Sequence, residues 1–416
     1  MIKREITNNL QKMTEYYPVV SLTGPRQSGK STLVKEAFPG YEYFNLEEKS
    51  LYFEALNNPE GFINNIKGKA IIDEAQLVPD LFSAIQVAVD KKQENGNFIL
   101  SGSQNFLLSE NITQSLAGRV GICELLPLNY YELYNSEYKT NINQFILHGG
   151  YPRLYVNKTP MSIHYRNYLR SYVKRDVEGY LRVRNSMDYE RLISLLASNV
   201  GQLLNYKRLS NDLGVEINTV KSWISLLISS YIVYIVPSYS TNIRKRVIRT
   251  PKIYFYDTGL LCHLMRIHDE TTLLHDEKYG LIFENFIMTE MVKSYFNSLQ
   301  DHYLYFYRDS HGNEIDIVDI TNPRNVVVAE VKSGMTMMNK YNKVLYKAEE
   351  ELNIKQLKKQ IIYNGDRNFD FDGTKVISAE SFLLSNMNNL EKSLDMFSDD
   401  FLTEGRGLQG SQTREL

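Results

Sequence analysis

A glycine-rich loop between two short segments of different character constrains this sequence most. The loop at residues 24–31 runs GPRQSGKS, the spacing G-x-x-x-x-G-K-S. Residues 17–23 before it are mostly apolar and β-branched, and residues 32–38 after it have helical character. Glycines let backbone N–H groups point at phosphate oxygens, and a helix N-terminus favours anions. Strand, loop and helix occur in the order that a nucleotide-phosphate cradle requires.

The loop predicts the contacts of bound ATP and Mg²⁺. Lys30 would reach the β and γ phosphates, and the hydroxyl of Ser31 would bind Mg²⁺. The predicted nucleotide-binding residues are Gly24, Pro25, Arg26, Gln27, Ser28, Gly29, Lys30, Ser31 and Thr32.

A second apolar segment, residues 70–74, ends in two adjacent acids. At the end of a buried parallel strand, Asp73 would help Ser31 to hold Mg²⁺, and Glu74 would act as the base that activates the attacking water. The alternative is a strand that simply ends in a polar loop. The separation from the glycine loop favours the catalytic interpretation.

Two further positions are candidates for sensing the γ phosphate. Residues 97–100 form a third apolar segment, and small polar residues follow it. Ligands of open α/β sheets bind at the carboxyl ends of the strands. We therefore expect Ser103 to sense the phosphate or orient water, with Ser101 and Gln104 as alternatives. Arg119 follows a glycine and is either an arginine finger or a helix-ending salt bridge.

Six motifs occur in order: GPRQSGKSTL, IIDEAQ, ILSGSQ, SLAGR, LPL with an aromatic residue and Glu132-Leu133, and GGYPR at residues 149–153. Together they resemble the AAA-type ATPases of bacteria and archaea that carry a C-terminal domain of unassigned function. The match extends from about residue 18 to about residue 333. The resemblance implies an ATPase core, a lid and a C-terminal region similar to the restriction-endonuclease fold.

The middle of the chain predicts a winged helix. Residues 188–230 contain three helical segments, with a tight turn at Gly214 between the last two. Two strand-like segments follow, around a basic tip at residues 244–246. Winged helices bind DNA or proteins, and both remain open here. The basic stretches 166–184 and 244–252 are DNA contacts or ordinary solvated surface.

The C-terminal region predicts a carboxylate cluster. Asp316 follows the start of a hairpin strand, and Glu330 and Lys332 lie two apart on the next strand, so they share a face. Glu284 lies on a preceding helix that resembles the first helix of the restriction-endonuclease fold, where its carboxylate can join the metal shell. We expect Asp316 and Glu330 to chelate Mg²⁺, with Lys332 activating water or neutralising the phosphate, as in a phosphodiesterase. The alternative is that Lys332 and Arg308 pair off the acids.

Composition limits the setting. Apolar residues make up 43% and charged residues 23%, as in globular proteins. The two cysteines, Cys123 and Cys262, are too few for a disulfide framework or a four-ligand zinc site, and no membrane span is evident, so we expect a cytoplasmic protein. A net charge of −2 gives no bulk attraction to nucleic acid.

The sequence therefore predicts an α/β chain with a P-loop AAA-type ATPase core at residues 1–150 and a helical lid or linker at 151–187. A winged helix at 188–257, a restriction-endonuclease-like domain at 258–390 and a flexible tail at 391–416 follow. One hypothesis is an ATPase that couples nucleotide state to DNA handling. The other is a signalling or assembly switch whose C-terminal domain binds a protein. A homo-oligomer is compatible with both.

Overall fold

The computed structural model describes residues 2–103, 115–172, 186–240, 242, 250–354 and 357–385. Four sequence-predicted features lie wholly or partly outside these ranges: Gln104, much of the basic stretch 166–184, the basic tip 244–246 and the tail 391–416.

The first part of the chain forms a five-stranded parallel sheet of order β2-β3-β4-β1-β5. Its strands are β1 (Val19–Thr23), β2 (Glu42–Asn45), β3 (Ala70–Asp73), β4 (Phe98–Gly102) and β5 (Val120–Glu124). The three central strands are buried along their whole length, as their apolar runs predict. Since all strands run the same way, the segments that follow β1, β3 and β4 meet at one edge.

Helices cover both faces of this first sheet. They are α1 (Thr7–Tyr16), α2 (Lys30–Ala37), α3 (Lys49–Asn57), α4 (Pro59–Asn65) and α5 (Asp80–Lys92). Successive strand residues face opposite cores: Val19 packs with the α3–α5 side and Val20 with the α1–α2 side. The fold is thus α/β with a parallel sheet, as predicted.

A helical region follows. Its helices are α6 (Tyr130–Tyr134), α7 (Ile142–His148), α8 (Pro152–Val156), α9 (Met161–Tyr172), α10 (Ser186–Ser198), α11 (Tyr206–Leu213) and α12 (Ile217–Ser229). Gly214, at φ 69°, ends α11 in the left-handed conformation and turns the chain into α12. The strands β6 (Val233–Val236) and β7 (Lys252–Phe255) then pair antiparallel. We call this pair the β6–β7 ribbon.

The C-terminal part forms a second, mixed sheet of order β12-β13-β11-β10-β9-β8. Its helices are α13 (Thr258–Leu264), α14 (Glu270–His275), α15 (Tyr279–Asn297), α16 (Lys343–Tyr346) and α17 (Ala348–Leu352). Its strands are β8 (Leu304–Arg308), β9 (Glu314–Asp319), β10 (Val327–Lys332), β11 (Lys358–Tyr363), β12 (Phe369–Phe371) and β13 (Thr374–Ser378). The strands β8, β9 and β10 are antiparallel neighbours, and β11 is parallel to β10.

The helix α15 joins these parts. Both polar and apolar residues on it are buried, which is typical of a helix in the centre of a large protein. Glu290 accepts from the backbone N–H of Tyr130 at 2.6 Å, and Lys293 donates to the carbonyl of Leu128 at 3.0 Å. One apolar core runs from Leu126 to Leu383 around it. None of the helices described is both long and apolar enough to cross a membrane.

Candidate functional site

The glycine loop lies at the carboxyl edge of the first sheet. Gly29 has φ 100° and precedes α2 directly, so the loop turns into the helix N-terminus. A side chain at Gly24 would lie 2.2 Å from the carbonyl oxygen of Leu125, at φ 149°. Both glycines are therefore required by the backbone, and the loop presents its N–H groups where a phosphate would bind.

Lys30 lies inside this loop. Its amine donates to the carbonyls of Gly24 at 2.9 Å and Pro25 at 2.8 Å. Burial lowers the pKa of Lys30 to about 8, although the nearby Glu74 and Asp73 act in the opposite direction. The ammonium thus sits in a cradle that has withdrawn it from water, where a phosphate gains most from its charge.

Asp73 ends β3 and is held by hydroxyl donors. Ser101 donates to one carboxylate oxygen at 2.5 Å and Tyr43 to the other at 2.5 Å. Burial favours a higher pKa for Asp73, but the hydrogen bonds from Ser101, Tyr43 and Ser31 outweigh it, and the net pKa is lowered. An ionised carboxylate beside a serine hydroxyl is the hard oxygen set that Mg²⁺ prefers, so the residues fit the expected ion.

Glu74 occupies a left-handed backbone conformation, at φ 55°, directly after β3. Its carboxylate accepts from Gln76 at 2.5 Å and from Ser103 at 3.3 Å. The structure thus brings together Glu74 and Ser103, both sequence candidates, and adds Gln76. Ser101, the alternative to Ser103, contacts Asp73 instead.

A cavity of about 890 Å³ opens above the loop. Polar groups from the glycine loop and from the segments that follow β3 and β4 line one side, among them Lys30, Glu74 and Ser103. Apolar groups from the N-terminus and α8 line the other side, together with Arg153. Arg153 belongs to the GGYPR motif, but the motif alone indicates no role for it at the nucleotide site. Its position depends on how α8 packs against the loop, which no local pattern reveals.

Arg119 lies elsewhere. It directly precedes β5, and its carbonyl accepts from Val19 at the amino end of β1, opposite the glycine loop. Its guanidinium binds both carboxylate oxygens of Asp90, at 2.6 and 3.0 Å. The structure does not bring Arg119 to the cavity of its own chain.

A second group of charges lies on the C-terminal sheet. Lys332 donates to Glu330 at 2.5 Å and to Asp316 at 3.3 Å. Asp316 also accepts from the backbone N–H of Val331 at 2.8 Å. These three sequence candidates therefore converge, on adjacent strands and on one face.

Lys252 completes this carboxylate cluster from the β6–β7 ribbon. It is 2% exposed and contacts Glu284 at 2.9 Å and Glu314 at 2.5 Å. Tyr254 donates to the same oxygen of Glu284 at 2.6 Å. Sequence reasoning missed Lys252, because its partners lie more than 30 residues away and no periodic signal links them.

In the carboxylate cluster, the acids are paired with the two lysines Lys332 and Lys252. Burial and the neighbouring Asp316 raise the pKa of Glu284 to about 7 and that of Glu330 to about 8. Within the described ranges, no group of three or more acidic, His or Cys side chains is placed to hold a metal ion. Mg²⁺ chelation by Asp316 and Glu330 stays a prediction that this arrangement does not favour. The alternative predicted Lys332 and Arg308 as the partners of the acids. In the structure the partners are Lys332 and Lys252, and the guanidinium of Arg308 lies 3.7 Å from the carboxylate of Glu314.

Sequence relatives cover most of the chain. Uncharacterized protein Rv2008c of Mycobacterium tuberculosis is 30% identical over 319 residues, which are 76% of this chain and 70% of that protein. The chain belongs to the Rv2008c family. Uncharacterized protein MJ1544 of Methanocaldococcus jannaschii is 22% identical over 382 residues, 83% of this chain and 82% of that protein.

Three protein-family models match successive parts of this chain. Residues 16–134 match an AAA domain, residues 139–271 a domain of unknown function (DUF8612) and residues 279–382 a domain of unknown function (DUF4143). The first sheet and its glycine loop are thus an AAA-type P-loop ATPase domain. Among solved structures, the Walker-type ATPase PABY2304 of Pyrococcus abyssi aligns over 64% of this chain and 96% of its own, with 14% identity and a TM-score of 0.42.

Proposed function

We propose that this protein binds ATP with Mg²⁺ and hydrolyses it at the carboxyl edge of the first sheet. The observation that carries the proposal is the position of Glu74, whose carboxylate is oriented by Gln76 and Ser103 on the wall of the cavity that Lys30 also lines. An oriented carboxylate beside a phosphate cradle is the arrangement that water activation requires.

Each group has a distinct part in the proposed reaction. The loop N–H groups and Lys30 bind the phosphates, and Ser31 and Asp73 would hold Mg²⁺, which neutralises phosphate charge when bound. Water attacks the γ phosphorus, its proton passes to Glu74, and the bond to the β,γ-bridging oxygen breaks to give ADP and phosphate. Ser103 steadies Glu74 and lies where it can contact the γ phosphate.

Titration calorimetry with Mg²⁺ and ATP, followed by measurement of phosphate release, tests this proposal. We expect saturable binding of one ATP per chain and slow release of phosphate that stops when Mg²⁺ is chelated. Absence of both would contradict the proposal.

Arg119 acts, if it is an arginine finger, on the nucleotide of a neighbouring copy. It lies at the edge of the sheet opposite its own cavity, so only a second subunit could bring it to a phosphate. A homo-oligomer as the active form therefore depends on Arg119 being such a finger and not only the partner of Asp90.

We further propose that the regions after the ATPase domain handle DNA. Helices α10, α11 and α12 followed by the β6–β7 ribbon fit a winged helix. The succession of α15, β8, β9 and β10, then α16, α17 and β11, fits a restriction-endonuclease-like core. Because Lys332 is paired with both Asp316 and Glu330, the proposal is limited to DNA binding and does not include cleavage of DNA.

Salt dependence separates DNA binding from the alternative, a switch that binds a protein. Contacts to several phosphates weaken about tenfold or more when salt rises from 50 to 200 mM. We expect the affinity for duplex or single-stranded DNA to fall by this amount over the same range of salt concentration. Absence of DNA binding at 50 mM salt, together with salt-insensitive binding of a cellular protein, would favour the switch.

A further inference from the structure

One tyrosine of the helical region reaches the base of the nucleotide site. Tyr231 stands between α12 and β6 and is 4% exposed. Its hydroxyl donates to Glu124 at 2.5 Å and lies 2.9 Å from the hydroxyl of Thr23. The Thr23 hydroxyl also donates to the carbonyl of Cys123, at the longer distance of 3.5 Å.

The two hydrogen-bond partners of Tyr231, Thr23 and Glu124, are each the residue directly before one that shapes the glycine loop. Thr23 precedes Gly24, where the loop begins, and Glu124 precedes Leu125, whose carbonyl packs against Gly24. The backbone of Leu125 also donates to the carbonyl of Thr23 at 2.8 Å. The phenol therefore ties together two strand ends whose separation sets the start of the loop.

The backbone at Tyr231 indicates that this contact is specific. The residue has φ 58°, in the left-handed region that favours glycine, yet it is a large aromatic residue. Glycine would adopt the conformation without strain but would lose the hydroxyl. The ring is further packed against Tyr256, with centroids 5.9 Å apart.

The same end of the β6–β7 ribbon also supports the other wall of the nucleotide cavity. Asp257, which follows β7, accepts from the backbone N–H of Gly150 at 2.7 Å and from Tyr165 at 2.6 Å. A side chain at Gly149 would lie 2.3 Å from Asp257, so this approach is close. Gly150 leads directly into α8, which carries Arg153 to the cavity.

We propose that Tyr231 is a positioning residue of the nucleotide site, by which the helical region after the ATPase domain holds the glycine loop in its phosphate-binding shape. This inference rests on the proposed ATP binding. It makes the end of the β6–β7 ribbon the place where a change in the downstream regions alters nucleotide affinity, and where bound nucleotide alters those regions in return.

The test compares Tyr231→Phe with Tyr234→Phe. Both substitutions keep the ring and remove one buried hydroxyl from the same region, since Tyr234 contacts Thr289 at 2.9 Å and not the ATPase domain. In the nucleotide-free protein, we expect faster hydrogen exchange of the amides of residues 24–30 in Tyr231→Phe alone. We also expect roughly fivefold weaker ATP binding and a raised KM in that variant, with kcat within about twofold of the wild type.

The outcomes separate this inference from the proposed function. Failure of the wild type to bind ATP contradicts the proposed function, and the exchange of residues 24–30 then still tests the role of Tyr231. Unchanged exchange and ATP affinity in Tyr231→Phe, or equal changes in both variants, contradict that role. If Tyr231→Phe does not fold, Thr23→Val removes one of the two hydrogen bonds of the Tyr231 hydroxyl, keeps the one to Glu124, and is expected to increase the exchange of residues 24–30 in the same direction.

Discussion

Among single residues, Lys30 carries the charge that decides how tightly phosphate is held. Burial lowers its pKa to about 8, so the free protein loses this charge as the pH rises through that value. A bound triphosphate favours the charged amine and raises its pKa. ATP binding above pH 8 therefore requires uptake of a proton, and affinity must fall as pH rises.

We expect the Kd for ATP to be constant between pH 6.5 and 7.5 and to increase by up to about tenfold per pH unit above 8. Titration calorimetry in buffers of different ionisation heat measures both the Kd and the proton uptake. Lys30→Ala is the control, with weak affinity and no slope in this range. A wild-type Kd that stays constant to pH 9.5 would show that Lys30 remains charged throughout.

The residues of the nucleotide site and of the carboxylate cluster divide into those that local sequence predicts and those that it does not. Gly24, Lys30 and Glu74 belong to contiguous motifs whose spacing reflects one loop or one strand end. Arg153 and Lys252 act through contacts formed only when distant segments pack, so they leave no local signal. A motif thus predicts the chemistry of a loop but not what approaches it from elsewhere.

At the scale of elements, the β6–β7 ribbon connects two charged sites. One end contacts the ATPase domain through Tyr231, and at the other end Lys252 inserts into the carboxylate cluster beside Glu284 and Glu314. A buried carboxylate left without its counter-ion costs on the order of 3 kcal/mol or more. The ribbon is therefore held to the C-terminal sheet by charge as well as by apolar packing.

Lys252→Met tests this link, because methionine keeps much of the chain volume and removes the charge. We expect the variant to lose about 3 kcal/mol of unfolding free energy at pH 8 in urea titrations. Glu284 already has a pKa raised to about 7, above its unfolded value, so its neutral form is favoured by folding. The deficit should therefore shrink as pH falls from 8 toward 5, where Glu284 becomes protonated in the folded state.

Lys359→Met is the matched control. Lys359 lies on β11 of the C-terminal sheet, and its pair with Glu349 is longer, at 3.7 Å, and more exposed. Such pairs contribute less than about 1 kcal/mol. An equal loss of unfolding free energy in both variants would contradict the electrostatic link. A loss in Lys252→Met that does not change with pH would also contradict it.

Element positions followed closely from the sequence, but their arrangement did not. The periodicity of residues 188–257 predicts three helices and two strands, and the hairpin strand predicted around Asp316 is β9. The strand order β2-β3-β4-β1-β5 could not be predicted from any local sequence pattern, because strand order is set by how the whole chain packs. The all-round burial of α15 likewise depends on the contacts of three distant regions.

At the scale of the whole molecule, the position of Arg119 requires an assembly if that residue is catalytic. A copy that carries Arg119→Ala keeps its own cavity, and a copy that carries Lys30→Ala keeps its own Arg119. We expect mixtures of the two variants to recover part of the ATPase activity that each lacks alone, and specific activity of the wild type to rise with protein concentration. Concentration-independent turnover without complementation would assign Arg119 a structural role in its pair with Asp90.

The central claim, that Glu74 activates water in a site where Lys30 binds phosphate, is tested most directly by measuring ATP affinity and turnover together in the wild type, two site variants and two control variants. Lys30→Ala should lose about tenfold or more in affinity, because a charged contact to phosphate is removed. Glu74→Gln should bind ATP and Mg²⁺ as the wild type does and lose about 100-fold or more in turnover, because the amide keeps the shape but accepts no proton. Lys91→Ala and Glu48→Gln, exposed in the same domain, should match the wild type. Wild-type turnover by Glu74→Gln, with unchanged affinity in Lys30→Ala, would contradict the account.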